Sequence, residues 1–257
     1  MRIGAHVNAE DPLAEAGLRS AEVVQFFLAD PQGWKAPGPR KDADTLRDSD
    51  VDIYIHAPYV INVATSNNRV RIPSRKLLMA HASAAAEVGA KGLVVHGGQV
   101  SAGEDLTLGF DNWRKALAFA EEEGGLPVPL LIENTAGGNH SCARRFDDLA
   151  RLWDALDGYD VGLCLDTCHA YAGGEELAGI VERLMGITGR IDLIHANGSK
   201  FGFNSGRDRH ENFARGEIDP ELIAEVVRTA GADAVCETPG SVEDQSADIE
   251  FLRKHAK

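Results

Sequence analysis

The sequence predicts a single α/β domain over residues 1–257, a closed (β/α)8 barrel with its functional site at the C-terminal ends of the strands. Eight short runs rich in Val, Ile and Leu predict strands, and segments with apolar residues at helical spacing lie between them. Alternating strands and helices indicate parallel pairing. The alternative, an open doubly wound sheet, is disfavoured because no G-x-G-x-x-G fingerprint follows the first strand. Closure into a TIM barrel is therefore expected.

Each predicted strand is a short apolar run of the length typical of a buried strand. The eight segments are Arg2 to His6, Val23 to Leu28, Asp52 to His56, Gly92 to His96, Pro129 to Glu133, Gly162 to Asp166, Asp192 to His195 and Ala234 to Glu237. A chain of 257 residues falls within the range of a single such barrel.

Amphipathic spacing predicts a helix after each strand from the third onward. The six segments are Pro73 to Val88, Phe110 to Glu123, Arg144 to Leu156, Glu175 to Ile187, Pro220 to Ala230 and Val242 to Lys254. We expect Pro73 and Pro220 to lie in the first turn of their helices, where a missing N–H is tolerated. Asp219 is predicted to cap the helix that begins at Pro220.

The composition is that of an ordinary soluble globule, with 44% hydrophobic and 26% charged residues. No basic N-terminal segment precedes a long apolar run, and no stretch approaches the roughly 20 apolar residues of a membrane span. A cytoplasmic protein without a membrane partner is expected. The cysteines show no C-x-x-C spacing and are predicted to be reduced, mostly buried thiols: Cys142, Cys164, Cys168 and Cys236.

Metal-binding residue types recur where the predicted strands end. Seven of the eight strands finish on such a residue: His6, His56, His96, Glu133, Asp166, His195 and Glu237. A single one of these would be read as structural, but the strand ends of a barrel converge on one mouth. Carboxylates crowded there repel one another unless cations separate them. The pattern therefore predicts a metal centre.

Two loops add further candidate ligands. His169 lies three residues after Asp166, where a strand turns towards a helix, so both side chains can reach one cavity. Asp208 and His210 are two residues apart and point to the same side of an extended backbone. Imidazoles and carboxylates without thiolates favour zinc, with manganese, iron or cobalt as substitutes. The number of ligands exceeds what one or two ions need.

With these residues assembled, the chain resembles the endonuclease IV family of apurinic/apyrimidinic (AP) endonucleases from its start to its end. The segments that support the resemblance are IHAPYVIN (55–62), VVHGG (94–98), IENTAGG (132–138), LDTCHAYAGG (165–174), IHANGSK (194–200), GRDRHEN (206–212) and ETPG (237–240). Short pieces such as HGG mean little alone, but the ordered series is highly specific.

The resemblance implies a site of three zinc ions and nine ligands. The first ion takes His56, His96 and Glu133; Glu133 bridges to a second ion that also takes Asp166, His195 and Glu237; the third takes His169, Asp208 and His210. The implied reaction is hydrolysis of the DNA phosphodiester 5′ to an abasic site, leaving a 3′-hydroxyl and a 5′-deoxyribose phosphate. Trimming of blocked 3′ ends is also implied, with Glu133 as the catalytic residue that orients or deprotonates the nucleophile.

The resemblance further implies that double-stranded DNA is the partner. Tyr59 resembles a family tyrosine inserted beside the lesion, and Gln32 and Trp34 lie in a predicted recognition loop, although burial of Trp34 in the core is an equal alternative. Arg209 fits a phosphate contact, and His6 is expected to support the metal ligands from beneath. A net charge of −14 opposes DNA binding, but three divalent cations reverse the local sign.

Two departures from the family pattern affect expectations around the third ion. Gly198 stands where an Asp commonly follows the Asn, and the run from Phe213 to Arg215 replaces a more glycine- and glutamate-bearing one. Neither removes a ligand, so they bear on DNA contacts and on support of the third ion.

Two other functions fit parts of the pattern. A sugar isomerase or epimerase of a related barrel would use one or two ions but would not need Asp208, His210 and His169. A noncatalytic protein that binds abasic DNA would not require the full ligand set. A barrel with one DNA-facing mouth is expected to act as a monomer.

Overall fold

The computed structural model describes residues 1–138 and 140–256, in which eight parallel strands close into a barrel. Gly4 of the first strand pairs with Val235 of the last, which closes the ring. The strands are numbered along the whole chain, and numbers 8 and 9 belong to a short hairpin outside the barrel. The barrel strands are β1 (Ile3–His6), β2 (Val23–Phe27), β3 (Asp52–His56), β4 (Gly92–His96), β5 (Leu130–Glu133), β6 (Val161–Asp166), β7 (Leu193–His195) and β10 (Asp233–Cys236). The predicted fold class is confirmed, and each strand end lies within one residue of its expected position.

The barrel interior contains a layer of apolar side chains contributed by seven strands. These residues pack against one another: Val23, Tyr54, Val94, Leu131, Cys164, Leu193 and Val235. The eighth strand contributes Gly4, where a Cβ would collide with the carbonyl oxygen of Val23. Glycine at this position therefore allows β1 and β2 to approach closely. This filled layer forms the floor beneath the mouth of the barrel.

A second and larger core lies between the barrel and the helices around it. Its largest fully buried side chains include Trp113, Phe26, Ile55, Leu149 and Leu163. Side chains that alternate along a strand point to opposite faces, so each strand contributes to both cores. Burial on both faces explains why the strands are nearly continuous apolar runs in the sequence.

Nine helices are present in the described part of the chain. They are α1 (Pro12–Leu18), α2 (Ala43–Arg47), α3 (Asn68–Glu87), α4 (Leu106–Glu122), α5 (Phe146–Ala155), α6 (Thr167–Gly173), α7 (Ile180–Thr188), α8 (Pro220–Ala230) and α9 (Val242–His255). The Asp219 side chain accepts a hydrogen bond from the backbone N–H of Glu221, so the predicted cap of α8 is confirmed.

Two helix predictions need correction. Pro73 lies inside α3, which begins at Asn68 and is capped by Asn67, so it does not open the helix as expected. The helix predicted from Glu175 to Ile187 begins only at Ile180, as α7, and the separate helix α6, which was not predicted, ends before Glu175. A left-handed Gly174 ends α6, and a left-handed Gly179 precedes α7, so the segment between them turns instead.

A short antiparallel hairpin, not predicted, lies at the mouth between β7 and β10. Its strands are β8 (Gly198–Ser199) and β9 (His210–Glu211), with Ser199 paired to His210. The intervening loop is held against α6, because the N–H groups of Asn204 and Gly206 donate to the carbonyls of Tyr171 and Ala172. This docking fixes the position of His210 relative to the barrel.

Candidate metal centre at the barrel mouth

The inward-facing positions at the top of the barrel hold polar side chains in place of apolar ones. Alternate residues of a strand point to the same side, so the residue two positions after each member of the apolar floor also faces inward. Those residues are Gln25, His56, His96, Glu133, Asp166, His195 and Glu237. The chain thus changes from an apolar layer to a ligand-rich layer in a single step along every strand.

Glu133, at the end of β5, lies at the centre of this layer and is fully buried. One carboxylate oxygen is 3.1 Å from Nε2 of His56 and 3.4 Å from Nε2 of His96. The other is 3.0 Å from Nδ1 of His195 and 3.1 Å from Nδ1 of His169. Because its two oxygens face different imidazoles, Glu133 could contribute one oxygen to each of two cations.

His195 links Glu133 to two further carboxylates. Its Nδ1 is 3.2 Å from Oε2 of Glu237 and 3.9 Å from Oδ2 of Asp166. All four side chains have ligand atoms within 4.8 Å of one another. This group offers one nitrogen and up to three oxygen ligands, which suits a divalent cation of intermediate hardness such as zinc.

A third group forms where α6 meets the hairpin. The Asp166 side chain caps α6 by accepting a hydrogen bond from the backbone N–H of His169 at 2.7 Å. On the mouth side, Nε2 of His169 is 3.2 Å from Oδ2 of Asp208, and Nε2 of His210 is 3.5 Å from Oδ1 of Asp208. A helix start and a hairpin strand therefore present three ligands to one point.

The nine side chains fall into three ligand groups, each with ligand atoms within 4.8 Å: His56, His96 and Glu133; Glu133, Asp166, His195 and Glu237; His169, Asp208 and His210. These are the sets that the sequence resemblance implies. A further group includes Cys168 with Asp166 and His210. Burial raises the pKa of the Cys168 thiol to about 12, so it stays protonated and is a poor ligand.

Hydrogen bonds fix which nitrogen of His56 and of His169 faces the centre. Nδ1 of His56 lies 2.7 Å from the Ala57 carbonyl oxygen, and Nδ1 of His169 lies 2.9 Å from that of Asn134. An N–H donated outward leaves Nε2 of each ring as the lone-pair ligand. Nε2 of His169 and Nε2 of His210 are buried without a hydrogen-bond partner, as expected for atoms that bind a cation. The donor set therefore fits divalent metal ions.

The carboxylates of the centre are held in their charged form. Burial alone would raise the pKa of Glu133, but His195 and His96 hold that pKa well below its usual range. Burial likewise opposes the charge of Asp208, yet the adjacent His169 lowers its pKa to about 2. Both groups are therefore anionic at neutral pH and available as ligands.

Protons occupy part of the centre when cations do not. Burial disfavours a charged His210, but the adjacent Asp166 raises its pKa to about 9. His169 behaves in the same way, since Asp166 and Asp208 outweigh its burial and raise its pKa well above the usual value. A metal ion must displace these protons, so metal binding is coupled to proton release.

Comparison with known proteins identifies the family. Residues 11–255 match the family described as xylose isomerase-like TIM barrel. A protein of Mycobacterium leprae (strain TN), named probable endonuclease 4, is 53% identical over 254 residues, which cover 99% of this chain and 98% of that protein. The chain belongs to the endonuclease IV family of these barrels.

Solved structures agree with this assignment. Endonuclease IV from Thermus thermophilus superposes with a TM-score of 0.83 at 26% identity, covering 99% of this chain and 98% of the other. A D-tagatose 3-epimerase-like protein has a TM-score of 0.80 at 20% identity over 99% and 97% of the two chains, a likeness of fold alone.

Among the described residues, no helix has the length and apolar character needed to cross a membrane.

The residues that the endonuclease IV resemblance associates with DNA lie on the rim of the mouth. The side chain of Tyr59 is 52% exposed, and its ring stacks on that of His96 with 5.5 Å between centroids. Trp34 is 47% exposed, which excludes burial in the core. Gln32 and Arg209 are exposed as well. All four side chains are therefore exposed to solvent, and the ring of Tyr59 lies directly against a ligand of the metal centre.

His6 and Gln25 lie on the side of the centre next to β1 and β2. Nδ1 of His6 is 3.2 Å from Oε1 of Glu237, as expected for a residue that supports a ligand. The Gln25 side chain donates to the same oxygen at 2.7 Å and lies 2.8 Å from Nε2 of His195 through its own amide oxygen. Gln25 was not predicted from the sequence, although a glutamine inside the apolar strand VVQFF was the available signal.

Two asparagines hydrogen-bond the residues that supply the carboxylates. Asn197 donates to Oδ2 of Asp166 at 2.7 Å and accepts the N–H of Glu237 at 2.8 Å. Asn134 accepts the N–H of Asp166 at 2.7 Å and donates to its carbonyl oxygen at 3.0 Å. Neighbouring strand ends are thereby locked in register around the ligands.

The positions that depart from the family pattern have structural roles here. A Cβ at Gly198 would lie 2.6 Å from the carbonyl oxygen of Glu211, so the close approach of β8 and β9 requires glycine. Phe213 is buried against Phe251, and Arg215 pairs with Asp244 at 3.0 Å. These residues anchor the hairpin that bears His210 to α9.

Proposed function

We propose that this chain is a DNA-repair endonuclease that hydrolyses the phosphodiester bond 5′ to abasic sites and also trims blocked 3′ ends. The products are a 3′-hydroxyl and a 5′-deoxyribose phosphate. The observation that best supports this is the single mouth where nine ligands form three groups, two of which share Glu133. The 53% identity to a protein named probable endonuclease 4 supports the same reaction class.

We further propose that the three groups hold three zinc ions, with manganese or another divalent metal as a substitute in part of the site. When bound, such ions lower the pKa of water and neutralise charge on phosphoryl oxygens. Six added positive charges would oppose the four ligand carboxylates and reverse the local effect of a net charge of −14. A phosphate can then approach the mouth of an otherwise acidic protein.

Glu133 is assigned the catalytic role. Its carboxylate is fully buried, ionised and central to the layer of ligands, so it can orient an attacking water and accept a proton from it. His56 and His96, 3.1 and 3.4 Å from its Oε2 atom, restrict that carboxylate to one position. Fixed geometry reduces the reorganisation needed when the proton moves.

Tyr59, Gln32, Trp34 and Arg209 are assigned to DNA recognition. A sugar without its base leaves a gap in the stack, so it can be rotated towards the mouth at a smaller cost than an intact nucleotide. The ring of Tyr59 is half-exposed and is assigned to fill such a gap. Arg209 is exposed on the loop that bears Asp208 and His210, where it can contact a backbone phosphate. We expect a cytoplasmic monomer.

A sugar epimerase is the principal alternative, since the fold likeness to an epimerase-like protein extends over nearly the whole chain. Proton transfer on a sugar requires one or two ions at most, and it leaves the group of His169, Asp208 and His210 without a purpose. In a noncatalytic protein that only binds damaged DNA, the ionised Glu133 would have no role. The third group therefore favours phosphodiester hydrolysis.

The decisive experiment compares Glu133→Gln with the unchanged protein on a duplex that contains one abasic site. We expect nicking to fall by at least about 10³-fold while the fold is retained, because a buried ionised base is lost. Glu225→Gln, on the exposed face of α8, is the matched control and should nick normally. Full nicking by a folded Glu133→Gln protein, or turnover of ketoses by the unchanged protein without nicking, would reject the proposal.

A further inference from the structure

Two segments of this acidic chain contain no acidic residue at all. Residues 31–41 include three cations and residues 53–86 include four, although the whole chain has a net charge of −14. The first segment is the loop after β2, and the second runs from β3 into α3. Both segments therefore carry a net positive charge on one flank of the mouth.

These two segments are in direct contact. The backbone N–H of Tyr59 donates to the carbonyl oxygen of Pro31 at 2.8 Å, which joins the two loops at the rim. Beyond this junction lies an open groove of about 590 Å³ between the first loop and α3. It is lined by Trp34, Ala36, Arg69, Ile72, Pro73, Lys76, Leu77 and Ala80.

The groove combines a flat aromatic surface with cations. Arg69, Ile72, Lys76 and Ala80 recur at helical spacing and therefore belong to one face of α3. Trp34 is 47% exposed and covers part of that face from the loop side. Apolar side chains form the floor, and the two cations lie along it.

The cations of the groove have no carboxylate to pair with in the described structure. Arg190 and Arg215, elsewhere on the surface, each pair with an acidic side chain within 3.1 Å. No acidic side chain of the described residues lies within 4.0 Å of the charged groups of Arg69 or Lys76. Their charges are therefore available to an anionic ligand.

We propose that this groove binds an unpaired nucleotide of the DNA strand that flanks the lesion. The base stacks on Trp34 over the apolar floor, and its phosphate pairs with Arg69 or Lys76. A paired base presents only its edges in the grooves of a duplex, so stacking on an indole requires a base that has left the helix. The identity of the polymer rests on the proposed function, whereas the ligand class follows from an aromatic surface beside unpaired cations.

The test uses undamaged DNA, which lacks the abasic site at which the proposed cleavage occurs. Binding is measured by fluorescence anisotropy for a labelled blunt duplex and for the same duplex with a single-stranded overhang of about three nucleotides. We expect the overhang to bind about tenfold more tightly, because stacking of one base has roughly that effect. Trp34→Ala should abolish the difference, and Trp34→Phe should retain most of it. Met185→Ala, an exposed apolar residue on α7, is the control.

Salt dependence tests the role of the cations. For overhang binding, the double variant Arg69→Gln with Lys76→Gln should reduce the slope of log affinity against log salt by about 0.7, the value for one phosphate contact of a single strand. Lys254→Gln, an exposed cation in the last turn of α9, should leave the slope unchanged. Equal affinity for blunt and overhanging duplexes, or a slope unchanged by the double variant, overturns the proposal. Displacement of the overhanging duplex by poly-glutamate of equal total charge would also overturn the proposal.

This outcome can be separated from that of the proposed function. If the protein nicks abasic duplexes but does not prefer an overhang, the proposed endonuclease activity stands and the proposed nucleotide-binding groove is rejected. If the protein prefers the overhang but does not nick abasic DNA, the proposed nucleotide-binding groove stands and the proposed endonuclease activity is rejected.

Discussion

Gln25 offers a sharp test of how the barrel supports its ligands. Its side chain is fully buried, donates to Oε1 of Glu237 at 2.7 Å, and lies 2.8 Å from Nε2 of His195 through its amide oxygen. Gln25→Leu keeps nearly the same volume but removes both contacts. His195 then loses the acceptor that fixes Nδ1 as the ligand atom, and Glu237 loses a donor that orients it.

The expected effect is a weakening of one metal site. Removing a partner that orients a ligand costs about 10- to 100-fold in metal affinity, which corresponds to about 1.4–2.8 kcal/mol. Competition with a chromophoric zinc chelator measures this directly. The loss should be confined to the ion held by Glu133, Asp166, His195 and Glu237, and abasic-site nicking should fall in parallel.

The matched control is Asn112→Leu. Asn112 is another buried amide, but its donors bind the carbonyl oxygens of Ala64 and Thr65 away from the ligands. It should lower the free energy of unfolding without changing zinc affinity. If Gln25→Leu binds zinc as tightly as the unchanged protein, or if Asn112→Leu weakens zinc binding equally, then Gln25 does not position the ligands.

Three further predictions concern the hairpin, α3 and the rim. Gly198→Ala should lower the free energy of unfolding by about 1–3 kcal/mol and remove one bound zinc, because the added Cβ meets the strand that bears His210; denaturant titration and elemental analysis measure these changes. Pro73→Ala should raise the free energy of unfolding by about 1–2 kcal/mol, measured in the same way, because it restores an N–H that can bond the carbonyl of Arg69 within α3. Arg209→Gln should weaken binding to abasic duplex, leave kcat unchanged, and reduce the salt slope by about 0.9, measured by titration at several ionic strengths.

Contrary results are equally specific. A Gly198→Ala protein with three zinc ions and unchanged stability would show that the hairpin does not depend on the close approach at this position. A less stable Pro73→Ala protein would mean that the proline is favourable in α3. A salt slope unchanged by Arg209→Gln would exclude a phosphate contact there.

The positions of the eight strands were readable from the sequence because every strand is buried on both faces. Such strands are continuous apolar runs, and the first polar residue after each run marks the mouth. For the same reason the sequence identified the ligand types, since His56, Glu133 and Asp166 interrupt apolar runs at equivalent positions. Burial and alternation are local properties, so they leave a local signature.

Short elements escaped prediction for the opposite reason. The strands Gly198–Ser199 and His210–Glu211 are two residues each, and α1 and α2 have seven and five residues. Elements this short have too little periodicity to be recognised, and their formation depends on tertiary contacts that offset the cost of nucleation. The late start of α7 depends on the turn between left-handed Gly174 and Gly179, which the apolar spacing from Glu175 to Ile187 did not reveal.

The sequence by itself therefore determined the fold class, the strand order and the chemical types gathered at the mouth. Only the tertiary structure decided which imidazole meets which carboxylate, that Gln25 and Asn197 hold them, and that Trp34 lies over a cationic groove. The physical reason is that burial and alternation act between near neighbours in the chain. Distances between side chains from different strands depend instead on how the barrel closes, and no local pattern encodes that register.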